Sequence, residues 1–239
     1  MNGIGMILVA AFAAGVVQAL TGFGAGIVMM IVLPLLYAIP QAAGISQAIC
    51  LAICAMMTFQ YRKSIQWKKA LKPVVPYLTV SSLCIQFSTR VNQEILVRIF
   101  GGFLVLLSLY YLFFNKNAGP KEMSRPMSAL YIVASGLCDG LFGIGGPLMV
   151  IYFLNLTKDK KEYLGTMQAF SILNVLWNTL FRLYSGILTT AHLPMIAAGM
   201  AAILIASVLA KKAVEKIDDA KLRKMTYLLI GISGLLNVL

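Results

Sequence analysis

The apolar positions of this chain fall in long unbroken runs, and the polar positions gather in short clusters between them. Ten apolar segments can be traced. Five lie at roughly 4–20, 25–39, 43–61, 73–89 and 95–114, and five more at 127–142, 146–157, 165–187, 192–210 and 222–239. Continuous apolar runs predict membrane-embedded helices. A transmembrane barrel would alternate apolar and polar positions over strands of about ten residues.

The pattern occurs twice. Gly15 to Gly26 reads G-V-V-Q-A-L-T-G-F-G-A-G, and Gly136 to Pro147 reads G-L-C-D-G-L-F-G-I-G-G-P. An ungapped offset of 121 pairs Gly15 with Gly136, Leu20 with Leu141, Gly22 with Gly143 and Gly24 with Gly145. The same offset pairs Gln47 with Gln168, Ala48 with Ala169 and Pro73 with Pro194. Glycine-broken apolar segments at matching places in two halves are a pointer to the binding site of an internally duplicated transporter. In the second half the broken pair is short: residues 147–157 would reach only about 16 Å as a helix, half the hydrocarbon core. The first-half counterparts are longer and could span. The favoured reading is two helical hairpins that dip into the membrane with their glycine turns at mid-depth; two full crossings per hairpin is the other.

Charge decides the orientation. Of the 20 basic residues, all but Arg90, Arg98 and Arg182 lie in the loops 62–72, 115–126, 158–162 and 211–224. Threading the segments puts these four loops on one side, which the positive-inside rule makes cytoplasmic, with both termini outside. Each half then makes an odd number of net crossings, so the second half runs upside-down relative to the first. The expected fold is all-α, a polytopic transmembrane bundle of two inverted-topology repeats, each with a glycine-broken helical hairpin. The division is 1–115 for the first repeat, 116–126 for a cytoplasmic linker and 127–239 for the second repeat.

The composition, 60% hydrophobic and 12% charged, is too apolar for a soluble domain. A net charge of +12 would suggest nucleic acid in a soluble protein. Confined to short loops, it reads as topology, with contact to anionic lipid headgroups as a by-product and no nucleic-acid partner. The N-terminal run resembles a signal-peptide core but lacks a basic start, and the repeat requires it in the mature protein. Cys50, Cys54, Cys84 and Cys138 sit inside apolar runs and read as buried small hydrophobes. No metal site, cofactor motif, phosphate-binding loop or catalytic acid pair is present, so an enzyme is not expected.

Candidate binding chemistry follows from the breaks. A glycine turn exposed to lipid would strand backbone polar groups, so it must be buried in protein or line a wet cavity. Each turn opens a new helix, and Pro147 suits a first helical position. Two helix N-termini facing mid-membrane would bind a small anion without a basic side chain. The backbone around Thr21, Gly22, Gly24 and Gly26, and around Gly143, Gly145 and Gly146, is the candidate site. The plain alternative is that these glycines only allow tight helix crossing. Gln168, Ser171, Asn174, Asn178 and Arg182 share one helical face. Gln47 and Gln168, matched between the halves, are candidate ligand contacts, as are Asn174 and Asn178; interhelical hydrogen bonding is the alternative for all four. Arg182 is either a cavity cation or a side chain snorkelling to the outer interface. Asp139, the one carboxylate well inside an apolar run, is a candidate proton-coupling group; otherwise it lies shallow and caps the turn. His192 reads as interfacial.

With their lengths, glycine motifs and basic loops, the segments G-V-V-Q-A-L-T-G-F-G-A-G and G-L-C-D-G-L-F-G-I-G-G-P resemble the sulfite exporter TauE/SafE family, also called the 4-toluene sulfonate uptake permeases. The likeness covers nearly the whole chain, although Ala25 replaces the middle glycine of the usual triplet. The resemblance implies a secondary transporter of sulfite, thiosulfate or organosulfonates in a bacterial or archaeal cytoplasmic membrane. An anion channel of the same fold and a non-transport scaffold subunit are the alternatives. Small residues from Ala197 to Ala202 could pack a homodimer or only neighbouring helices.

Overall fold

The computed structural model describes residues 3–113 and 123–213, and all the regular structure among them is helical. Ten α-helices follow in order: α1 (Gly3–Thr21), α2 (Ala25–Val32), α3 (Ile39–Gln60), α4 (Trp67–Leu71), α5 (Val74–Ser88), α6 (Gln93–Phe113), α7 (Arg125–Phe142), α8 (Gly146–Leu156), α9 (Lys160–Tyr184) and α10 (Leu193–Ala213). Short 3-10 turns occupy Leu33–Leu35, Arg62–Ser64 and Thr190–His192. The expected segment 222–239 lies outside the described residues.

The helices begin where their sequences allow. Asp159 caps α9 by accepting from the backbone N–H groups of Lys161 and Glu162. Pro40, Pro126 and Pro147 sit in the first turns of α3, α7 and α8, where a missing N–H costs nothing. The segment 25–39 is not one long helix. It stops after eight residues, tightens into a 3-10 turn containing Pro34, and restarts at Ile39. Pro34 cannot donate to an α-helical ladder, which accounts for the interruption. The first-half arm is therefore shorter than α8, against the expectation that it was the longer of the two. Residues 62–72, expected as loop, hold a 3-10 turn and α4.

The offset seen in the sequence also aligns helix starts: Ala25 with Gly146, and Ile39 with Lys160. Packing follows the same exchange. α1 packs on α10 while α7 packs on α5, and α3 crosses α9 at the centre. Close crossings are made by small residues. A Cβ on Gly15 would sit 2.5 Å from the Ile203 carbonyl, and one on Gly136 would sit 3.0 Å from the Tyr77 carbonyl. Such residues let backbones approach where lipid offers no hydrophobic drive.

α3 and the 3-10/α10 segment Thr190–Ala210 are each long and apolar enough to cross a bilayer. Much of the outer surface is apolar, with Val9, Val75, Leu83, Phe87, Leu106 and Leu130 exposed. Within the small-residue stretch of α10, Gly199 packs against Ile49 of α3, so that position serves the fold itself.

Candidate functional site

Both glycine segments interrupt helices. α1 ends at Thr21 and α2 starts at Ala25; α7 ends at Phe142 and α8 starts at Gly146. Gly22 and Gly143 hold equivalent left-handed conformations, at φ 80° and 69°. A side chain there would be strained, which is why glycine occupies both positions. Thr21 is not among the residues lining the cavity between the two breaks; its hydroxyl shares its one proton between the Val17 and Phe23 carbonyls, at 2.8 and 2.6 Å, tying down the turn.

The two breaks meet around one cavity of about 70 Å³. That is room for a handful of waters or one small oxyanion, since a water needs roughly 10–15 Å³ on this measure. The lining comes in pairs separated by the repeat offset: Gln18 with Asp139, Gly22 with Gly143, Gly24 with Gly145, Gly26 with Pro147, Gln47 with Gln168 and Cys50 with Ser171. The cavity is thus lined by residues from both copies of the offset pattern. Gly146 and Asn174 also line it; Asn178 and Arg182 do not.

Gln18 and Asp139 do the same local work. Gln18 Oε1 accepts from the Ala25 N–H at 3.2 Å, and Asp139 Oδ1 accepts from the Gly145 N–H at 3.0 Å. Each satisfies an orphan donor at the start of the following helix. Beyond that the halves differ. The Gln18 amide nitrogen reaches the Cys54 sulfur, whereas Asp139 anchors a buried polar network. Gln47 Nε2 donates to Asp139 Oδ1 at 3.1 Å and Asn178 Nδ2 donates to Oδ2 at 2.5 Å. Asn178 in turn accepts from the Ser81 hydroxyl at 3.0 Å.

Arg182 completes this network from behind. It is fully buried, which overturns the snorkelling alternative. Its guanidinium donates to Gln47 Oε1 and, at 2.8 Å, to the Gly140 carbonyl near the end of α7. A cation there complements the carbonyl end of the helix. Gln47 therefore bridges Arg182 and Asp139, joining a buried cation to a buried acid through one amide. Asp139 is 4% exposed, so it is buried in protein, and it caps the turn.

Gln168 plays a different part from its counterpart Gln47. Its Nε2 donates to the Gly22 carbonyl at 2.6 Å, linking α9 to the break in the other half. Among the described residues its Oε1 is left without a partner, as are Asn174 Oδ1 and the Ser46 hydroxyl, all buried atoms of residues that line the cavity. Buried polar atoms without partners are rare and call for a ligand or water. Among the described residues no group of three or more His, Cys, Asp or Glu is placed to hold a metal. His192, half-buried, caps the 3-10 turn with Thr189 and packs its ring edge-on to Tyr37.

Sequence reading missed Ser46, Tyr77 and Ser81. Ser46 could have been found as a polar residue next to Gln47 inside an apolar run, and the structure puts it in the cavity lining with its offset partner Met167. Tyr77 carries no sequence signal. It is fully buried, and its hydroxyl fills the space where a Cβ on Gly145 would stand.

Apolar helices broken on both sides of a shared cavity have the form of a membrane transport protein. The chain belongs to the sulfite exporter TauE/SafE family, whose model matches residues 7–236. That family is one of membrane transporters of sulfur-containing anions, not of enzymes. No curated protein and no solved structure matches the chain.

Proposed function

We propose that this protein is a secondary transporter that carries sulfite, thiosulfate or an organosulfonate through the cavity between its two halves. The observation that carries this reading is the pairing of the cavity wall across the repeat offset, with one glycine break from each half. Beyond the Ala25 and Gly145 N–H groups that Gln18 and Asp139 already hold, the first turns of α2 and α8 offer backbone N–H groups and positive helix ends, which suit an anion. Gln168, Asn174 and Ser46 add polar side chains. Gln47, Asn178 and Arg182 act behind the wall by holding Asp139 and the α7 break in place.

The two halves are inverted repeats, and rocking one against the other opens the cavity to each side in turn. The basic loops face the cytoplasm of a cell whose inner membrane the chain crosses several times, with both termini outside. Asp139 is the coupling group, since it alone among the described cavity-lining side chains is a carboxylic acid.

The test is flux of radiolabelled sulfite, thiosulfate and a sulfonate in proteoliposomes, with and without an imposed proton gradient. Saturable flux with counterflow, lost in Gln168→Ala while the variant elutes as the wild type does, is the expected result. Flux without counterflow would indicate a channel. Well-folded protein that moves none of these anions would sink the proposal.

A further inference from the structure

We propose that Leu164 and Ala43 are the two gate residues of the cavity: the Gly22 turn closes one end by seating on Leu164, and the Gly143 turn closes the other by seating on Ala43. This rests on the reading of the chain as a transporter and names the contacts that part during its cycle.

The two contacts are a matched pair. A methyl carbon of Leu164 occupies the place that a Cβ on Gly22 would take. A Cβ on Gly143 would stand 3.1 Å from Ala43 Cβ and 3.2 Å from the Ala43 Cα and carbonyl oxygen. Gly22 and Gly143 are offset partners, and Ala43 and Leu164 are separated by the same 121 positions. Each contact joins the turn of one half to the crossing helix of the other. Movement of one half against the other therefore has to break them, whereas movement within a half does not.

Their placement brackets the cavity. On α3 the lining begins at Ser46 and Gln47, one turn after Ala43, and on α9 it begins at Met167 and Gln168, one turn after Leu164. The two helices cross antiparallel. A Cβ on Gly44, near the start of α3, would stand 2.9 Å from Arg182 Cδ, near the end of α9. A Cβ on Gly165, near the start of α9, would stand 2.9 Å from the carbonyl of Tyr61, just past the end of α3. Ala43 and Leu164 thus stand at opposite ends of the lined stretch. Both are buried, and neither lines the cavity itself. In the proposed orientation the Ala43 end faces outside and the Leu164 end faces the cytoplasm.

The seals differ in depth. Gly143 meets the Ala43 backbone, so a larger side chain at position 43 has no room while that turn is seated. Leu164 reaches Gly22 with the end of its side chain, and the next nearest atoms, Leu164 Cγ and Tyr163 Cε1, are both 3.8 Å from the Cβ position. Truncating Leu164 therefore opens a gap under the turn. Gln168 also donates to the Gly22 carbonyl at 2.6 Å, a hydrogen bond that has to break when the turn lifts.

The experiment reads each end separately. Ser171 is part-buried and lines the cavity, so Ser171→Cys puts a reporter thiol there. The full-length protein is treated with a small membrane-impermeant methanethiosulfonate, cationic so that it is no substrate analogue. Intact cells present the outer face and inverted vesicles the cytoplasmic one. Modification is read peptide by peptide, so the native cysteines stay. Leu164→Ala should raise the rate from the cytoplasmic face about tenfold or more, as the open fraction grows, and leave the outer face unraised. Ala43→Leu should do the reverse. Leu164→Met, close in volume to leucine, should bring the rate back to within about threefold of the reporter alone. A merely structural role for either residue loosens both ends together.

Rates that rise alike from both faces, or from neither, overturn the gates. One-sided rises with the two faces interchanged support the gates and reverse the orientation. If Ala43→Leu does not fold, Leu164→Ala and its methionine rescue decide. Flux of radiolabelled sulfite, thiosulfate and a sulfonate is measured on the wild-type protein alongside. One-sided modification without flux sinks the transport reading and supports the two closures. Flux with two-sided or unchanged modification keeps the transport reading and overturns the gates.

Discussion

Gly145 and Gly146 are neighbours in sequence and opposites in constraint. A Cβ on Gly145 would collide with the Tyr77 hydroxyl and stand 2.8 Å from Asp139 Cβ, whereas one on Gly146 meets nothing within 4 Å. Gly145→Ala should therefore destabilise the fold by about 1–3 kcal/mol, as overpacking does. Gly146→Ala should melt like the wild type yet lose transport, because Gly146 lines the cavity. Thermal unfolding of the detergent-solubilised variants, alongside flux, checks the pair. Asp139→Asn is a second case. Three donors converge on this carboxylate, from Gln47, Gly145 and Asn178. An amide must turn its NH2 toward at least one of them, leaving a buried donor unmatched at about 1–3 kcal/mol. The variant should show a lowered melting temperature and flux that no longer responds to a proton gradient. A flux that still responds would remove Asp139 from the coupling role. The carboxylate was legible in sequence as the one acid inside an apolar run. Its dependence on Gln47, far earlier in the chain, was not, since spacing records only neighbours on one helix.

At the scale of elements, the crossings of α1 with α10 and of α7 with α5 depend on absent side chains. The Ile203 carbonyl would lie only 2.5 Å from the first side-chain carbon of any residue replacing Gly15. Gly15→Val should therefore push α1 off α10 and cost several kcal/mol of stability. Gly102→Ala is the control. Nothing lies within 4 Å of its Cβ position, and alanine favours helix by up to about 1 kcal/mol. Size-exclusion profiles before and after heating separate the two. The glycine motifs announced the breaks because apolar segments rarely carry such clusters without cause. The lengths of the arms were less legible. Residues 25–39 read as one apolar run, and only the backbone shows that Pro34 sits in a 3-10 turn dividing α2 from α3. Hydropathy averages over such a turn, because its residues are as apolar as the helices beside it.

For the whole molecule, the proposed inverted arrangement of the two halves makes a claim about sidedness. Cysteines introduced at Ser64, in the basic 3-10 turn, and at Ser185, past the end of α9, should be labelled from opposite faces of the membrane. A membrane-impermeant maleimide applied to intact cells should modify Ser185→Cys alone. Labelling of Ser64→Cys under the same conditions would reverse the orientation, and labelling of both would break the inverted arrangement. Lys69 of α4 and Glu162 of α9 form an ion pair at 2.6 Å near that basic face, joining the halves there. Alternating access would have to open it during the cycle.

The sequence by itself determined the helical class, the two glycine breaks, the pairing of Gln47 with Gln168 and the family. Each of these is written in local order: runs of apolar residues, residues tolerant of left-handed backbone, and a fixed offset between copies. Only the tertiary structure decided what the polar residues do. It turned Gln47 toward Asp139 and Arg182, turned Gln168 toward Gly22, placed Arg182 behind the cavity and left Gln168 Oε1 and Asn174 Oδ1 unpaired in residues that line it. The physical reason is that one glutamine can donate, accept or bridge. Which it does is fixed by the groups that burial brings within about 3 Å, from helices far apart in the chain.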